Sequence, residues 1–185
     1  MEDQLFENID YTGRSFPKGD YECCTFRGCI FEKVNLSGIV FLECLFVNCN
    51  LSMANIAGTT FNDTSFVGCK LLGLRFDACN KNLRTGFNCC VLDYSSFYKV
   101  KLKGALFQDT KLLEVNFTEA DLTSVSFAGC DLSGTVFENT ILVSTDFRSA
   151  RNFIIDPERN SLRKAKFSSS DLVRLLTKYQ LEIED

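Results

Sequence analysis

An apolar residue recurs at every fifth position along most of this chain. The segment FTEADLTSVSFAGCDLSGTVF, residues 117–137, spaces Phe117, Leu122, Phe127, Leu132 and Phe137 in this way. Residues five apart on an α-helix lie about 140° apart around its axis, so they form no single stripe. On a flat strand, residues five apart point to opposite faces. The repeat therefore requires a backbone that turns at regular intervals.

We call the repeated residue the central position. It runs in one register from Phe6 to Phe76, slips by one residue, and resumes from Phe87 to Phe147. Counting Phe167, which lies 20 residues after Phe147, seventeen of the 18 phenylalanines occupy it, and Phe153 does not. The residue two before it is usually apolar or small, and in extended chain residues two apart point the same way. We expect both positions to face an interior, with a turn between one pair and the next.

The period of ten in the second half of the chain indicates how many sides each coil has. From Phe87 to Phe147 the central position alternates strictly between Phe and Leu. Four five-residue sides, about 20 residues per coil, explain this because opposite sides then match. Stacked coils bury a core that no single repeat could bury. The sequence predicts an all-β solenoid, a quadrilateral β-helix of about eight or nine coils over residues 1–168. One column of stacked rings is expected to contain Phe26, Phe46, Phe66, Phe87, Phe107, Phe127 and Phe147.

Most of the ten cysteines lie on the inward position two before the centre. Four of them should form a ladder along one side: Cys29, Cys49, Cys69 and Cys90. A straight ladder does not converge tetrahedrally on a zinc ion, and the chain has no histidine. Buried cysteine behaves as a small hydrophobe. We therefore predict core filling, with no metal site and no cofactor. Cys23 and Cys89 are out of phase and are predicted to lie nearer the surface, as candidate reactive thiols.

The sequence lacks the usual residues of an active site. Without histidine, most triads and general-base schemes are excluded, and no Gly-rich phosphate loop is present. Carboxylates before the central position follow from the repeat itself. We predict no catalytic residues. The acidic start, MEDQLFENID, does not resemble a signal peptide, and no run reaches the roughly 20 apolar residues of a membrane helix. A cytoplasmic location is expected.

Two interruptions break the repeat. The segment 79–87, CNKNLRTGF, contains the one-residue slip. It is either a bulge or tight loop that kinks the rod, or a projecting contact loop. The second interruption lies near 151–161, where Pro157 takes the central position. It is predicted to be a loop that closes the end of the coil.

The period changes again in residues 169–185. Ser170 can cap a helix, with Asp171 in its first turn. One apolar face is predicted from the spacing of Leu172, Leu175, Leu176 and Tyr179. This helix should cap the open end of the solenoid, or join two copies in a two-fold homodimer, and both roles can hold together.

Charge is distributed unevenly along the chain, whose net charge is −4. Residues 1–66 carry nine acids and four bases, whereas residues 147–178 carry three acids and eight bases. On the four-sided model one side of the first coils is acidic, with no base before Lys81. This side is the predicted partner-binding surface and contains Asp20, Glu22, Glu43 and Asp63.

The repeat resembles the pentapeptide-repeat family, whose units read A-(D/N)-(L/F)-x-x. Residues 120–122 (ADL) and 130–132 (CDL) match this unit well, and residues 34–36 and 115–117 match it loosely. The resemblance extends almost continuously over residues 6–152. It implies a right-handed quadrilateral β-helix.

The end of the chain is similar to that of the quinolone-resistance (Qnr) branch of this family. Asp156-Pro157, then Leu162 and Phe167, then a helix from about residue 171 match that ending. The resemblance implies a rod-shaped dimer that mimics DNA and binds DNA gyrase, without binding nucleic acid or membrane itself. Two features depart from it: there is no room for long projecting loops, and the net charge is mild. The alternative is an interaction scaffold with a non-gyrase partner.

Overall fold

The backbone turns at every side of the coil through a residue in the left-handed conformation, usually two positions after the central residue. One corner, followed over three successive coils, illustrates the pattern: φ is 55° at Asn8, 61° at Gly28 and 53° at Asn48. This conformation costs a non-glycine residue about 1–2 kcal/mol. Hydrogen bonds to the next coil offset the cost, because the Asn8 and Gly28 N–H groups donate to carbonyl oxygens at 2.8 and 2.9 Å.

The computed structural model describes residues 1–80 and 83–182. Over these residues the chain forms a parallel β-solenoid, as predicted, with short strands on its sides. The strands are β1 (Leu5–Glu7), β2 (Asp20–Glu22), β3 (Thr25–Arg27), β4 (Val40–Leu42), β5 (Leu45–Val47), β6 (Thr60–Val67), β7 (Arg84–Asn88), β8 (Leu106–Gln108) and β9 (Ser126–Ala128).

Every strand pairs in parallel with the strand one coil away. The longest path is β1-β3-β5-β6-β7-β8-β9, about six turns, while β2 pairs with β4 and β4 pairs with β6. Single bridges continue the ladder as far as Asp146 and Lys166. The regular strand ladder is therefore shorter than the eight or nine coils predicted, because the last coils pair through isolated bridges between turns.

The register gives the length of a coil directly. Phe6 pairs with Phe26 and Phe46 pairs with Phe66, an offset of 20 residues. Phe66 then pairs with Phe87, an offset of 21, and β6 and β7 shift register between Asn62 and Thr64. The one-residue slip is thus absorbed beside a β-bulge. Lys81 and Asn82, within the predicted 79–87 interruption, lie outside the described residues.

Aromatic rings fill the interior in columns. The main column contains Phe6, Phe26, Phe46, Phe66, Phe87, Phe107, Phe127, Phe147 and Phe167. Neighbouring ring centroids in it lie 4.7 to 5.5 Å apart, and their planes are within 28° of parallel. A second column of Phe76, Phe97, Phe117 and Phe137 meets the first edge-on, as at Phe97 and Phe107, whose planes cross at 85°. The intervening sides carry buried leucines, which accounts for the alternation of Phe and Leu.

Cysteine and threonine both occur at the inward position two before the centre, and both donate a hydrogen bond there. Thr59 donates its hydroxyl to the carbonyl oxygen of Leu36 at 2.7 Å, and Thr145 donates to that of Leu122 at 2.8 Å. The Cys49 thiol donates to the carbonyl oxygen of Phe26 at 3.3 Å. Each donor reaches back to the preceding coil. A small side chain with one O–H or S–H group therefore satisfies a backbone acceptor inside an otherwise apolar core.

The loop near 151–161 folds inward rather than projecting. Phe153, the phenylalanine outside the repeat, is fully buried and lies 5.4 Å from Phe147 and 5.7 Å from Phe167 between ring centroids. Ile155 is also buried. The coil resumes where Ser161 bridges to Ile141.

The α-helix predicted for the C-terminal segment is wrong: the described residues form two 3₁₀ helices, Ser169–Leu175 and Thr177–Tyr179. Ser168, not Ser170, precedes the first. A segment this short gains little from α-helical hydrogen bonds alone. A 3₁₀ helix has three residues per turn, so the α-helical spacing of its leucines gives no common face. A third 3₁₀ helix, Phe76–Ala78, lies just before the slip.

Within the described residues, no helix combines the length and the apolar character needed to cross a bilayer.

Candidate functional site

One side of the first coils carries a group of exposed carboxylates, which we call the acidic face: Glu2, Asp3, Asp20, Glu22, Glu43 and Asp63. Asp20 and Glu22 lie at the two ends of β2, on either side of the buried Tyr21. Asp3, Glu43 and Asp63 are corner residues with φ of 51° to 53°. Since the same corner recurs every 20 residues, their side chains follow one another from coil to coil.

Sequence reasoning identified four of these residues and missed Glu2 and Asp3. Glu2 bridges to Glu22, and the Asp3 N–H donates to the Glu22 carbonyl oxygen at 3.1 Å, so both belong to the first coil. The sequence contained a signal for Asp3. It lies 20 residues before Cys23, and Cys23 lies 20 residues before Glu43, so all three occupy the same position on successive coils.

The acidic face ends at an ion pair. Asp63 Oδ1 lies 3.3 Å from Nε of Arg84, which stands on the coil after the bulge. Lys103 lies beside the same two residues on the following coil and is exposed. The surface therefore changes sign near the middle of the rod. Lys81, the first base predicted on this side, lies outside the described residues.

Cys23 lies within the acidic face and is exposed, at the corner between Asp3 and Glu43. Its thiol donates to Oε2 of Glu43 at 3.8 Å. Local desolvation and the nearby carboxylates of Glu43, Asp3 and Glu22 raise the pKa of the Cys23 thiol. A raised pKa leaves less thiolate at neutral pH, so this environment makes Cys23 less nucleophilic than a free cysteine. Cys89 is also exposed.

The predicted cysteine ladder is buried. The thiols of Cys29, Cys49, Cys69 and Cys90 donate to the carbonyl oxygens of Phe6, Phe26, Phe46 and Phe66 at 3.3 to 3.4 Å. Elsewhere in the core, burial raises the pKa of Cys44 to about 11 and that of Cys130 to about 12. The described residues contain no cluster of three or more side chains arranged to hold a metal ion.

Carboxylates just before the central position hold the turns together. Oδ1 of Asp131 accepts the backbone N–H of Ser133 at 3.1 Å and its hydroxyl at 2.7 Å. Oδ1 of Asp146 accepts the N–H of Arg148 at 3.1 Å. The pKa of the Asp131 carboxyl is lowered mainly by the Ser133 hydroxyl. The pKa of the Asp146 carboxyl is lowered mainly by the Arg148 guanidinium, and the Arg148 N–H contributes less. These two aspartates thus each accept a hydrogen bond from the backbone N–H two residues later, which stabilises the turn.

The C-terminal 3₁₀ segment is fixed to the 151–161 loop by charged contacts. Nζ of Lys178 lies 2.7 Å from Oδ1 of Asp156 and 2.6 Å from Oε2 of Glu158. The Tyr179 hydroxyl donates to Oε1 of Glu158 at 2.6 Å. Arg174 pairs with Asp171 at 2.9 Å and lies over the ring of Phe153. We call residues 169–182 the C-terminal cap.

The C-terminal cap exposes apolar side chains. Of the four residues predicted to form its apolar face, Leu175 packs partly against the core, while Leu172, Leu176 and Tyr179 are exposed. Further apolar side chains are exposed at this end of the rod: Ile154, Val173 and Leu181.

Comparisons with solved structures identify similar folds. The chain is similar to a trypsin-treated variant of QnrB1, described as a plasmid-mediated fluoroquinolone resistance protein, at 19% identity and a TM-score of 0.79, over 99% of this chain and 89% of that chain. A second trypsin-treated QnrB1 variant gives 16% identity and a TM-score of 0.58, over 100% and 91% of the two chains. HetL, from the cyanobacterium Nostoc, gives 19% identity and a TM-score of 0.45, over 90% and 86%.

No curated protein matches the chain by sequence. A family model described as the pentapeptide repeat region matches residues 39–112 and 83–151. These overlapping matches together span more than half of the chain, within the stretch where the central position recurs and the coils stack. The chain therefore belongs to the family of pentapeptide-repeat proteins.

Proposed function

We propose that this protein is a non-catalytic, cytoplasmic DNA mimic that binds DNA gyrase through the acidic face and modulates susceptibility to fluoroquinolones. The similarity of its fold to QnrB1, a fluoroquinolone resistance protein, along 99% of the chain supports this choice of partner. The acidic face supplies the surface for it.

The spacing of charge on the acidic face is the observation that carries the proposal. Six carboxylates lie on four successive coils. Asp63 pairs with Arg84, and the other five lie on three coils. With coils about 4.8 Å apart, these five span about 10 Å, or one charge per about 2 Å. Duplex DNA carries one charge per about 1.7 Å of its axis. Over this length the two charge densities agree within a factor of two, so a basic DNA-binding groove would attract both.

We further propose that two copies associate through the C-terminal cap. The exposed side chains of Leu172, Leu176 and Tyr179 lie at one end of the rod, beside Ile154. Apolar groups clustered at a surface are typical of an interface. A two-fold dimer would bury them and place the two acidic faces at opposite ends of a longer rod.

A supercoiling assay tests the function. Purified gyrase would be assayed with relaxed plasmid at rising concentrations of this protein, with and without a fluoroquinolone. We expect inhibition of supercoiling, or protection from the drug, at micromolar protein. A variant with Asp20→Asn, Glu22→Gln and Glu43→Gln should lose the effect while keeping its fold, because all three side chains are exposed. If the wild-type protein gives no inhibition and no protection at micromolar concentration, this function is excluded.

The reversal of charge beyond the acidic face favours a second candidate, an interaction scaffold for a different protein. Asp63 is neutralised by Arg84, and Lys103 follows on the next coil. A surface whose carboxylates are followed by the bases Arg84 and Lys103 suits a partner of mixed charge better than a uniformly basic groove. An affinity pull-down from host lysate distinguishes the two, since recovery of a specific partner without any topoisomerase subunit supports the scaffold.

A further inference from the structure

A surface depression of about 380 Å³ lies where the acidic face ends. It opens across the bulge, between the coil of β6, the coil of β7 and the coil that enters β8. Its rim carries Asp63, Arg84 and Lys103, and its wall includes Leu83 and Leu106. A volume of this size falls in the range of small-molecule sites, which begins at about 300 Å³.

Gly86 leaves the space that forms the depression. It lies in β7, one residue before the buried Phe87, and lines the floor. Its backbone does not require glycine, because its φ is not in the left-handed region, and an added Cβ would meet only the carbonyl oxygen of Leu106, at 3.9 Å. Glycine inside a strand often marks a bulge or a close approach by a ligand or another backbone.

Thr85, next to Gly86, shows how the register shift affects the inward side of β7. It lines the depression and is 8% exposed, yet its Oγ1 has no hydrogen-bond partner among the residues that the structure describes. One coil earlier, Thr64 donates to the carbonyl oxygen of Phe41 at 3.2 Å. The register shift between β6 and β7 deprives Thr85 of the equivalent bond. The Thr85 hydroxyl is enclosed on the inward side of β7, so its missing hydrogen bond marks the register shift and supplies no donor to the outer surface.

Apart from Asp63, whose carboxylate pairs with Arg84, the charged groups around the depression are hydrogen-bond donors. Lys103 is exposed and forms no ion pair with any described residue. The Arg84 guanidinium has further N–H groups beyond the one that faces Asp63. The Leu106 side chain is 63% exposed and adds an apolar wall.

We propose that the depression over Gly86 binds a small organic oxyanion. The charged end lies between Lys103 and Arg84, and the carbon skeleton covers Gly86 and contacts Leu106. The site borders the acidic face at Asp63 and is separate from the C-terminal cap.

Nuclear magnetic resonance of the full-length, ¹⁵N-labelled chain locates such binding. The probes are phenyl phosphate, benzoate and inorganic phosphate, added at constant ionic strength and pH 7. We expect saturable shifts confined to the amides of residues 84–86 and 103–106. Phenyl phosphate should bind more tightly than inorganic phosphate because its ring covers Gly86. Comparison with benzoate shows whether a phosphate or a carboxylate is preferred.

Two variants and a control make the result decisive. Gly86→Val should fold normally, since its backbone tolerates a side chain, and should abolish saturation by filling the depression. Lys103→Gln should weaken binding about tenfold, whereas Lys111→Gln, the same charge change on another exposed lysine, should not. The proposal is overturned if no probe saturates, if Gly86→Val responds like the wild type, or if neutral benzyl alcohol binds as well as benzoate.

Discussion

At the scale of single residues, the interior of this protein depends on the rings at the central position. Phe107 is fully buried, and its centroid lies 5.0 Å from that of Phe87 and 5.3 Å from that of Phe127. The same ring meets Phe97 and Phe117 edge-on. Every ring in the column thus supports the coils before and after it.

Replacing Phe107 with alanine should lower the free energy of unfolding by about 3–5 kcal/mol, because the cavity left between two coils cannot collapse. Denaturant unfolding measures the change. The neighbouring Leu106→Ala is the matched control and should cost less than about 0.5 kcal/mol, since that side chain is 63% exposed. Equal losses in the two variants would contradict the stacked interior.

Cys23 should react slowly with iodoacetamide in the native protein at pH 7. Its pKa is raised by desolvation and by Glu43, Asp3 and Glu22, so the thiolate fraction is small. Glu43→Gln removes one of these charges and should speed the modification of Cys23. Mass spectrometry of timed samples measures both rates, with Cys89 as the internal reference. An unchanged Cys23 rate in Glu43→Gln would show that the carboxylate does not control this thiol.

The residues of the core could be predicted from the sequence because the period of five makes inward positions countable. The positions of Phe26, Cys49 and Phe107 follow from spacing alone. The role of the thiols could not be predicted in the same way. That Cys49 donates to the carbonyl oxygen of Phe26 depends on the rise between coils, which only the structure gives.

At the scale of elements, the C-terminal cap differs most from expectation. The leucine spacing fits an α-helix, but two 3₁₀ helices form. The ion pairs of Lys178 with Asp156 and Glu158 join residues about 20 apart in sequence, so no local sequence pattern predicts them. The burial of Phe153 was missed for a similar reason, since it lies outside the repeat and is placed by the inward fold of its loop.

The attachment of the C-terminal cap should weaken in acid. Contact with Lys178 lowers the pKa of Asp156 and Glu158 below their ordinary values of 3.8 and 4.5. Carboxyls with lowered folded-state pKa values stabilise the attached state above their ordinary pKa, and this contribution is lost as the pH falls through the lowered values. Amide chemical shifts of residues 176–182 should therefore change below about pH 4.

The core amides of Phe107 and Phe127 serve as internal references for that titration and should stay constant over the same range. Lys178→Met should give the detached spectrum of residues 176–182 already at pH 7, because the ion pairs are gone. A cap whose shifts are the same in Lys178→Met and the wild type would show that the charged contacts do not hold it.

At the scale of the whole molecule, the sign of the surface charge changes along the side that carries the acidic face. Four coils of carboxylates precede the bulge, and Arg84 and Lys103 follow it. The acidic start was predictable from the 20-residue coil, which placed Glu22, Glu43 and Asp63 on one side. The depression was not, because it requires the register shift and the missing side chain of Gly86 together.

Direct binding to purified DNA gyrase, measured by isothermal titration calorimetry, tests most directly whether a partner recognises the acidic face. We predict micromolar or tighter binding that weakens with salt, and that weakens about tenfold when Glu22→Gln and Glu43→Gln are combined. The matched pair Asp109→Asn and Glu114→Gln, two exposed acids on later coils, should bind like the wild type. Equal affinities for the two double variants, or no binding at micromolar concentrations, would contradict recognition through this face.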